Sequence, residues 1–369
     1  MNGSFFFSAL CMLLVSAASA LASGFEPIPV YSIHPVSTNA SADEELANGI
    51  VKRELFGMAK PASRPWRIAY IFPHLKDPYW VGCSYGILSE AKRLGISVEI
   101  FPAQGYDDLV GQLRIMDEAI AAKFDAIVLS PISMTANNES IARAKRHGIP
   151  VFELANDSTS GDLAVKVTTS LKGMGIEATN WVIRDAQKRG LKSIDIALLP
   201  GPKGAGWVEG EVAGTREAIR NSPIRVRILD IEYGDSDRII QSRLAAEIIA
   251  RHGKRLDYLI GCTGCAPAAR LPLDEAKLKR KIRIVSYDLT GEIAGLIPDG
   301  EISAAADTRA VSQARVVTDA AVEYLQGAKL PKVLLIEIGL VDEENYRNYP
   351  FGTSIAPKDY FPQLSYSPR

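Results

Sequence analysis

From Trp66 onward, short apolar runs alternate with stretches whose apolar residues recur every three or four positions. Residues 67–72 read RIAYIF and predict a strand. The next stretch sets Val81, Ile87, Leu88, Ala91 and Leu94 at helical spacing and stops at Gly95, a helix C-terminal signal. The same alternation predicts strands over 98–101, 126–129 and 151–154, with helices over 109–122 and 138–146. A similar pattern restarts at 194–199. It continues with strands over 226–231, 258–260 and 282–286 and with helices over 208–220, 238–250, 267–278 and 292–297, and residues 302–305 precede a final long helix over 310–325. Two successive copies of strand–helix alternation define the fold class: α/β, as two doubly wound parallel-sheet lobes with helices on both faces. Ligands of such sheets lie beyond the carboxyl ends of the strands, so two facing lobes create an interlobe cleft. The expected division is lobe 1 over 66–188, with hinge crossings, and lobe 2 over 189–330. Residues 331–369 form a C-terminal return segment contributing to lobe 1, and 23–65 read as an extended lead-in.

The segment ahead of this pattern carries its own signal. Residues 5–17 read FFFSALCMLLVSA, without charge, and the small-residue tripeptides Ala18-Ser19-Ala20 and Ala20-Leu21-Ala22 follow. A run of roughly a dozen apolar residues before an A-x-A site predicts a signal peptide over 1–22, too short to span a bilayer. Cys11 lies inside the apolar run without a lipoprotein box. No later segment approaches ~18 uninterrupted apolar residues, so a soluble mature chain without direct membrane insertion is expected.

Composition narrows the chemistry. At ~100–200 residues per domain, 369 residues agree with two domains. Lys and Arg number 42 against 43 Asp and Glu, and this balance argues against nucleic acid as a partner, since phosphate neutralisation needs a basic face. Cys262-Thr263-Gly264-Cys265 has redox spacing, but it follows a strand and has neither Trp nor Pro inside. A local disulfide and two small buried thiols both remain open. The four His (His34, His74, His147, His252) fall in unrelated segments without metal spacing. The run Gly201-Pro202-Lys203-Gly204-Ala205-Gly206 matches neither dinucleotide nor P-loop fingerprints and reads as a turn, and no G-x-S-x-G elbow occurs. No cofactor, no metal and no enzymatic activity are therefore expected.

Candidate binding residues cluster at the first strand–helix junction. Asp77-Pro78-Tyr79-Trp80 falls at the carboxyl edge of the first sheet, and Tyr106 at the same edge after the second strand. Aromatic faces attract cationic or polarised nitrogen, worth ~0.5–2 kcal/mol each when desolvated. Asp77 offers counter-charge or caps the helix, and Tyr85 reads as core. The stretch Pro73-His74-Leu75-Lys76-Asp77-Pro78-Tyr79-Trp80, followed by Tyr85-Gly86, resembles the type I periplasmic binding proteins. Gly105-Tyr106, Leu199-Pro200-Gly201-Pro202, Asn221-Ser222-Pro223-Ile224-Arg225 and the tail Ala356-Pro357-Lys358-Asp359-Tyr360-Phe361-Pro362 extend the likeness over nearly all of the mature chain. It is strongest to a sensory branch that answers trimethylamine N-oxide (TMAO) through a membrane histidine kinase.

The resemblance implies a periplasmic solute-binding protein of two-component signal transduction, whose lobes close on a small polar ligand, amine oxide-like or sugar-like. Its implied partner is the periplasmic domain of a sensor histidine kinase. The alternative is an ABC permease served by a binding protein for a sugar or other small polar solute. Two positions depart from the sensory branch. Leu171-Lys172-Gly173 stands where that branch places an aromatic, and Asp288 stands where it places a Tyr, with Tyr287 one residue earlier. An Asp after this strand, with Asn156-Asp157, is similar to the polar set by which sugar-binding members hold hydroxyls. The expected ligand-binding residues are thus Asp77, Tyr79, Trp80, Tyr106, Asn156, Tyr287 and Asp288, and the expected ligand is a hydroxylated or cationic metabolite. A related DNA-binding repressor would carry a helix-turn-helix where the signal peptide stands.

Overall fold

The structure is a computed structural model that describes residues 26–34, 39–57 and 59–368. The expected signal peptide, 1–22, lies outside the described residues. In chain order the strands are β1 (Ile28–His34), β2 (Ile50–Phe56), β3 (Arg67–Phe72), β4 (Ser97–Pro102), β5 (Ala126–Leu129), β6 (Val151–Leu154) and β7 (Val165–Thr168). They continue as β8 (Ser193–Gly201), β9 (Arg225–Tyr233), β10 (Tyr258–Gly261), β11 (Arg283–Ser286), β12 (Ala304–Asp307), β13 (Val333–Ile336), β14 (Gly339–Asp342) and β15 (Ser365–Tyr366). The helices are α1 (Ala42–Asn48), α2 (Pro78–Leu94), α3 (Leu109–Ala121), α4 (Asn138–Arg146), α5 (Leu171–Lys188) and α6 (Gly206–Arg220). After them come α7 (Arg238–His252), α8 (Cys265–Ala268), α9 (Arg270–Glu275), α10 (Gly291–Leu296) and α11 (Ala310–Leu325).

Two sheets carry these strands, in the orders β15-β4-β3-β5-β6-β7-β13-β1-β2 and β14-β12-β11-β10-β8-β9. Pairing is parallel from β4 through β13 in the first sheet and from β9 through β12 in the second, with antiparallel strands only at the edges. Strands β5, β6 and β10 are buried at every position, as a sheet covered on both faces requires. Helix α2 shows how local chemistry sets the elements. The Asp77 carboxylate accepts from Tyr79 N, Pro78 opens the first turn, and Gly95 ends the helix in the left-handed region at φ 72°. Tyr70, Phe72, Trp80 and Ile87 then pack with Ala314 and Val317 of α11. That packing needs Gly86, where a Cβ would lie 2.7 Å from Val311 O and 2.8 Å from Ala314 Cβ.

The lobes divide differently from the sequence expectation. Helix α5 leaves lobe 1 before residue 188: its Met174, Ala178, Trp181 and Val182 share a core with Ile196 and Leu198 of β8. Helix α11, expected in lobe 2, packs in the core of lobe 1. The chain therefore crosses between lobes at 169–170, 308–309 and 337–338, between β7 and α5, β12 and α11, and β13 and β14. The lead-in is not merely extended either, because β1 and β2, with α1 between them, pair antiparallel at the edge of the first sheet, with β1 also paired to β13. In the return segment, β13 and β15 join the first sheet and β14 joins the second. The helix expected over 267–278 is split into α8 and α9, where Pro272 supplies no N–H to continue a hydrogen-bonded turn. Cys262 and Cys265 are buried free thiols, and Cys265 donates to Leu199 O at 2.8 Å. Among the described residues no helix is long and apolar enough to cross a membrane.

Candidate functional site

The carboxyl ends of β3, β6, β8, β10 and β11 converge between the lobes on a cavity of about 70 Å³. All seven candidates border it, yet they do different work there. Asp77 has two engagements. One oxygen caps α2 by accepting from Tyr79 N at 2.9 Å, and the other accepts from the Thr263 hydroxyl of the opposite lobe. Trp80 is 2 % exposed, lies 4.9 Å from Phe72 between ring centres, and belongs mainly to the core of lobe 1. Tyr79 stands edge-to-face on it at 5.0 Å, and burial raises the Tyr79 phenol well above its ordinary value, so the ring stays neutral.

Tyr106 reaches across to lobe 2, with its ring centre 5.8 Å from that of Trp207 and 5.4 Å from that of His74. Asn156 holds it there: its amide donates to Tyr106 Oη at 3.1 Å and to Pro131 O at 2.9 Å. Asn156 is thereby a positioning group for Tyr106. Its neighbour Asp157 turns away from the cavity, accepting from Lys166 Nζ at 2.6 Å and from Ala42 N at 2.7 Å. Tyr287 is fully buried and its hydroxyl pairs with that of Thr215 at 2.9 Å, leaving the ring as its contribution to the wall.

Asp288 accepts from Leu289 N at 2.8 Å, from Thr308 N at 2.9 Å and from the Thr308 hydroxyl at 3.0 Å. It therefore pins the lobe crossing between β12 and α11 from within the cavity wall. Burial, followed by the nearby charge of Asp307, raises its carboxyl well above the usual range. Arg309 on the same crossing holds the left-handed region at φ 58°, a non-glycine strain that persists only where neighbours fix it. Asp307 supplies one such restraint by accepting from Arg309 N at 2.8 Å.

Two prominent wall residues went unanticipated. Trp207 opens α6 after the glycine-rich loop read as a turn, and Gly201 at φ 118° lies so close that a Cβ would come within 2.3 Å of the indole. Its signal was positional, since it follows the first strand of lobe 2 as Trp80 follows that of lobe 1. Leu171 of α5 borders the same cavity as Trp207, which joins Tyr287 as an aromatic that lobe 2 supplies to it. Glu211, one turn further along α6, is 5 % exposed, and its Oε2 has no hydrogen-bond partner. Burial, then Cys262 and Asp288, push its carboxyl well above the usual range. No short motif marks it. His74 is kept neutral by burial, its Nδ1 accepting from Lys76 N at 3.3 Å and its Nε2 without a partner. Among the described residues no group of three or more His, Cys, Asp and Glu is placed to hold a metal.

Two parallel-sheet lobes, three chain crossings and a cavity between the strand ends define a type I periplasmic binding protein fold. Residues 68–329 match the periplasmic binding protein domain family, and the chain belongs to it. Periplasmic protein TorT of Escherichia coli (strain K12) is 29 % identical over 311 residues, covering 83 % of this chain and 86 % of TorT. A solved ABC transporter solute-binding protein of Bradyrhizobium sp. BTAi1 with bound Bis-Tris is 30 % identical, with a TM-score of 0.77 over 92 % of this chain and 98 % of that one. TorT in complex with the TorS sensor domain, in the presence of TMAO, is 26 % identical. Its TM-score is 0.72, covering 81 % of this chain and 99 % of that one.

Proposed function

We propose that this chain is an exported, periplasmic receptor of the TorT type, which closes its lobes on a small polar solute and presents the closed form to the periplasmic domain of a sensor histidine kinase. The observation that carries this reading is the likeness to TorT over more than four-fifths of both chains, joined to an aromatic cavity bordered by both lobes. Tyr79, Tyr106, Trp207, Glu211 and Asp288 are the proposed ligand contacts. Solute binding works as a signal only through differential affinity for closed and open forms. The contacts that exist only between lobes, Asp77 with Thr263 and Tyr106 with Trp207, are the ones closure makes and opening breaks.

The test is binding of the purified mature chain to the periplasmic domain of a histidine kinase encoded beside it, with and without a solute that raises its melting temperature. Solute-dependent complex formation supports the reading. A chain that binds solute but never such a domain, and whose neighbouring genes encode a permease and an ATPase, is an importer's binding protein instead. That second reading is favoured by the buried polar set at Asp288 and by the likeness to the Bradyrhizobium solute-binding protein.

A further inference from the structure

Among the described residues, the carboxyls bordering the cavity are Asp77, Glu211 and Asp288, and no Lys or Arg borders it. Asp77 and Asp288 are supplied with donors by the protein itself. Glu211 is not. It is more than nine-tenths buried, and its Oε2 has no donor. Gln313 borders the same space with its Oε1 unpartnered, its amide being committed to Thr308 O at 2.7 Å. The wall thus combines two unmatched acceptors, the unpartnered ring nitrogens Trp207 Nε1 and His74 Nε2, acidic groups without a counter-cation, and the aromatic rings of Tyr79, Tyr106 and Trp207. Buried acceptors without donors are costly, and a carboxylate out of water needs an opposite charge. Aromatic faces attract cations and offer nothing comparable to anions.

We infer that the solute is an organic ammonium ion, protonated or quaternary, whose positive charge is matched by Glu211 within the aromatic wall. This deepens the receptor reading above and rests on it. A sugar or an amine oxide, each neutral overall, would bring no positive charge to match Glu211 and would leave its carboxyl protonated. The titratable groups facing Glu211 are Cys262, Cys265, Tyr287 and Asp288, none of them a cation. With no cation facing it, burial raises the Glu211 carboxyl, and an entering ammonium favours the ionised form, so cation affinity rises with pH as the proton is released. At the limit of one proton released per cation bound, the gain approaches about tenfold per pH unit.

The experiment is calorimetric titration of the mature chain with tetramethylammonium, choline, TMAO, a panel of neutral sugars and 3,3-dimethylbutan-1-ol, the uncharged carbon analogue of choline. At least one of the two ammonium probes is expected to bind about tenfold or more tighter than the uncharged analogue at pH 7.5, with affinity that falls toward pH 5.5. Glu211→Gln is expected to bring the cation to the level of the analogue while the free variant melts no lower than wild type. If that variant fails to fold, wild-type proton release decides, measured from the cation-binding heat in two buffers of different ionisation enthalpy. Near one proton per cation supports the inference, and none overturns it. Equal or tighter binding of the analogue, TMAO or a sugar overturns the inference while the receptor reading stands, as does a Glu211→Gln variant that keeps the cation preference. Failure of every probe overturns the inference together with the receptor reading.

Discussion

Thr263→Val isolates the latch between the lobes. The Thr263 hydroxyl donates to one carboxylate oxygen of Asp77, while the other oxygen caps α2. Valine keeps the shape and removes the donor, so the helix cap survives. A hydrogen bond to a charged acceptor contributes about 1.5–3 kcal/mol, and both residues are only partly buried, which places this one near the lower end. About 1.5 kcal/mol corresponds to roughly tenfold in an equilibrium constant. The bond joins two lobes, each with its own core, so the loss falls on the closed form and not on folding. The expected result is about tenfold weaker binding of whichever titrated solute binds wild type most tightly, and a larger radius of gyration by small-angle X-ray scattering when that solute is present. Denaturant unfolding of the free variant should differ from wild type by less than about 0.5 kcal/mol. Asp77→Ala should show the same affinity loss plus about 1 kcal/mol of stability from the lost cap. Wild-type affinity in Thr263→Val, or an unfolding loss as large as the affinity loss, would refute the latch.

Three further outcomes separate site from scaffold. Trp207→Ala should weaken solute binding about tenfold or more with little change in unfolding, whereas Trp80→Ala should cost about 3–5 kcal/mol of stability, because Trp80 is core; calorimetry paired with urea unfolding distinguishes them. Lys166→Met should cost about 3–5 kcal/mol, since Lys166 Nζ serves Asp157 at 2.6 Å, Ser158 O at 2.7 Å and Ala40 O at 3.1 Å, and limited proteolysis should then cut within residues 39–57. Burial raises Glu45 to about 7 and Glu153 to about 8, the latter against the opposing pull of Lys166. Groups whose folded values lie above their unfolded ones lend stability that is complete below pH ~4.5 and is lost as pH rises through the folded values. Unfolding free energy measured in urea at pH 5, 6, 7 and 8 should therefore decline, and a steady rise would contradict those assignments.

The alternation of elements was legible because parallel strands buried on both faces must be written as unbroken apolar runs, as in AIVL of β5 and YLIG of β10. Strand β2 reads IVKRELF and is exposed at most of its positions, so no inside-outside pattern betrayed it. Helix α5 was misassigned for a different reason. Periodicity reveals that Met174, Ala178 and Trp181 share a face, but not which of two cores receives that face. At the site, the junction of β3 and α2 could be read because Asp, Pro and aromatics coincide within four residues. The equivalent junction in lobe 2 hid its tryptophan behind a glycine-rich loop, of which Gly201 has its backbone against the ring. Reading lobe 2 in the register of lobe 1 recovers it. Once Trp207 is placed on the cavity, helical spacing carries the argument one step further: the residue four positions on lies on the same face, and that residue is Glu211. In lobe 1 the matching step from Trp80 lands on Ser84, whose hydroxyl pairs with Tyr360 and does not border the cavity. The asymmetry between those two positions is what gives the cavity its unpaired acid, and it became visible only when one lobe was used to read the other.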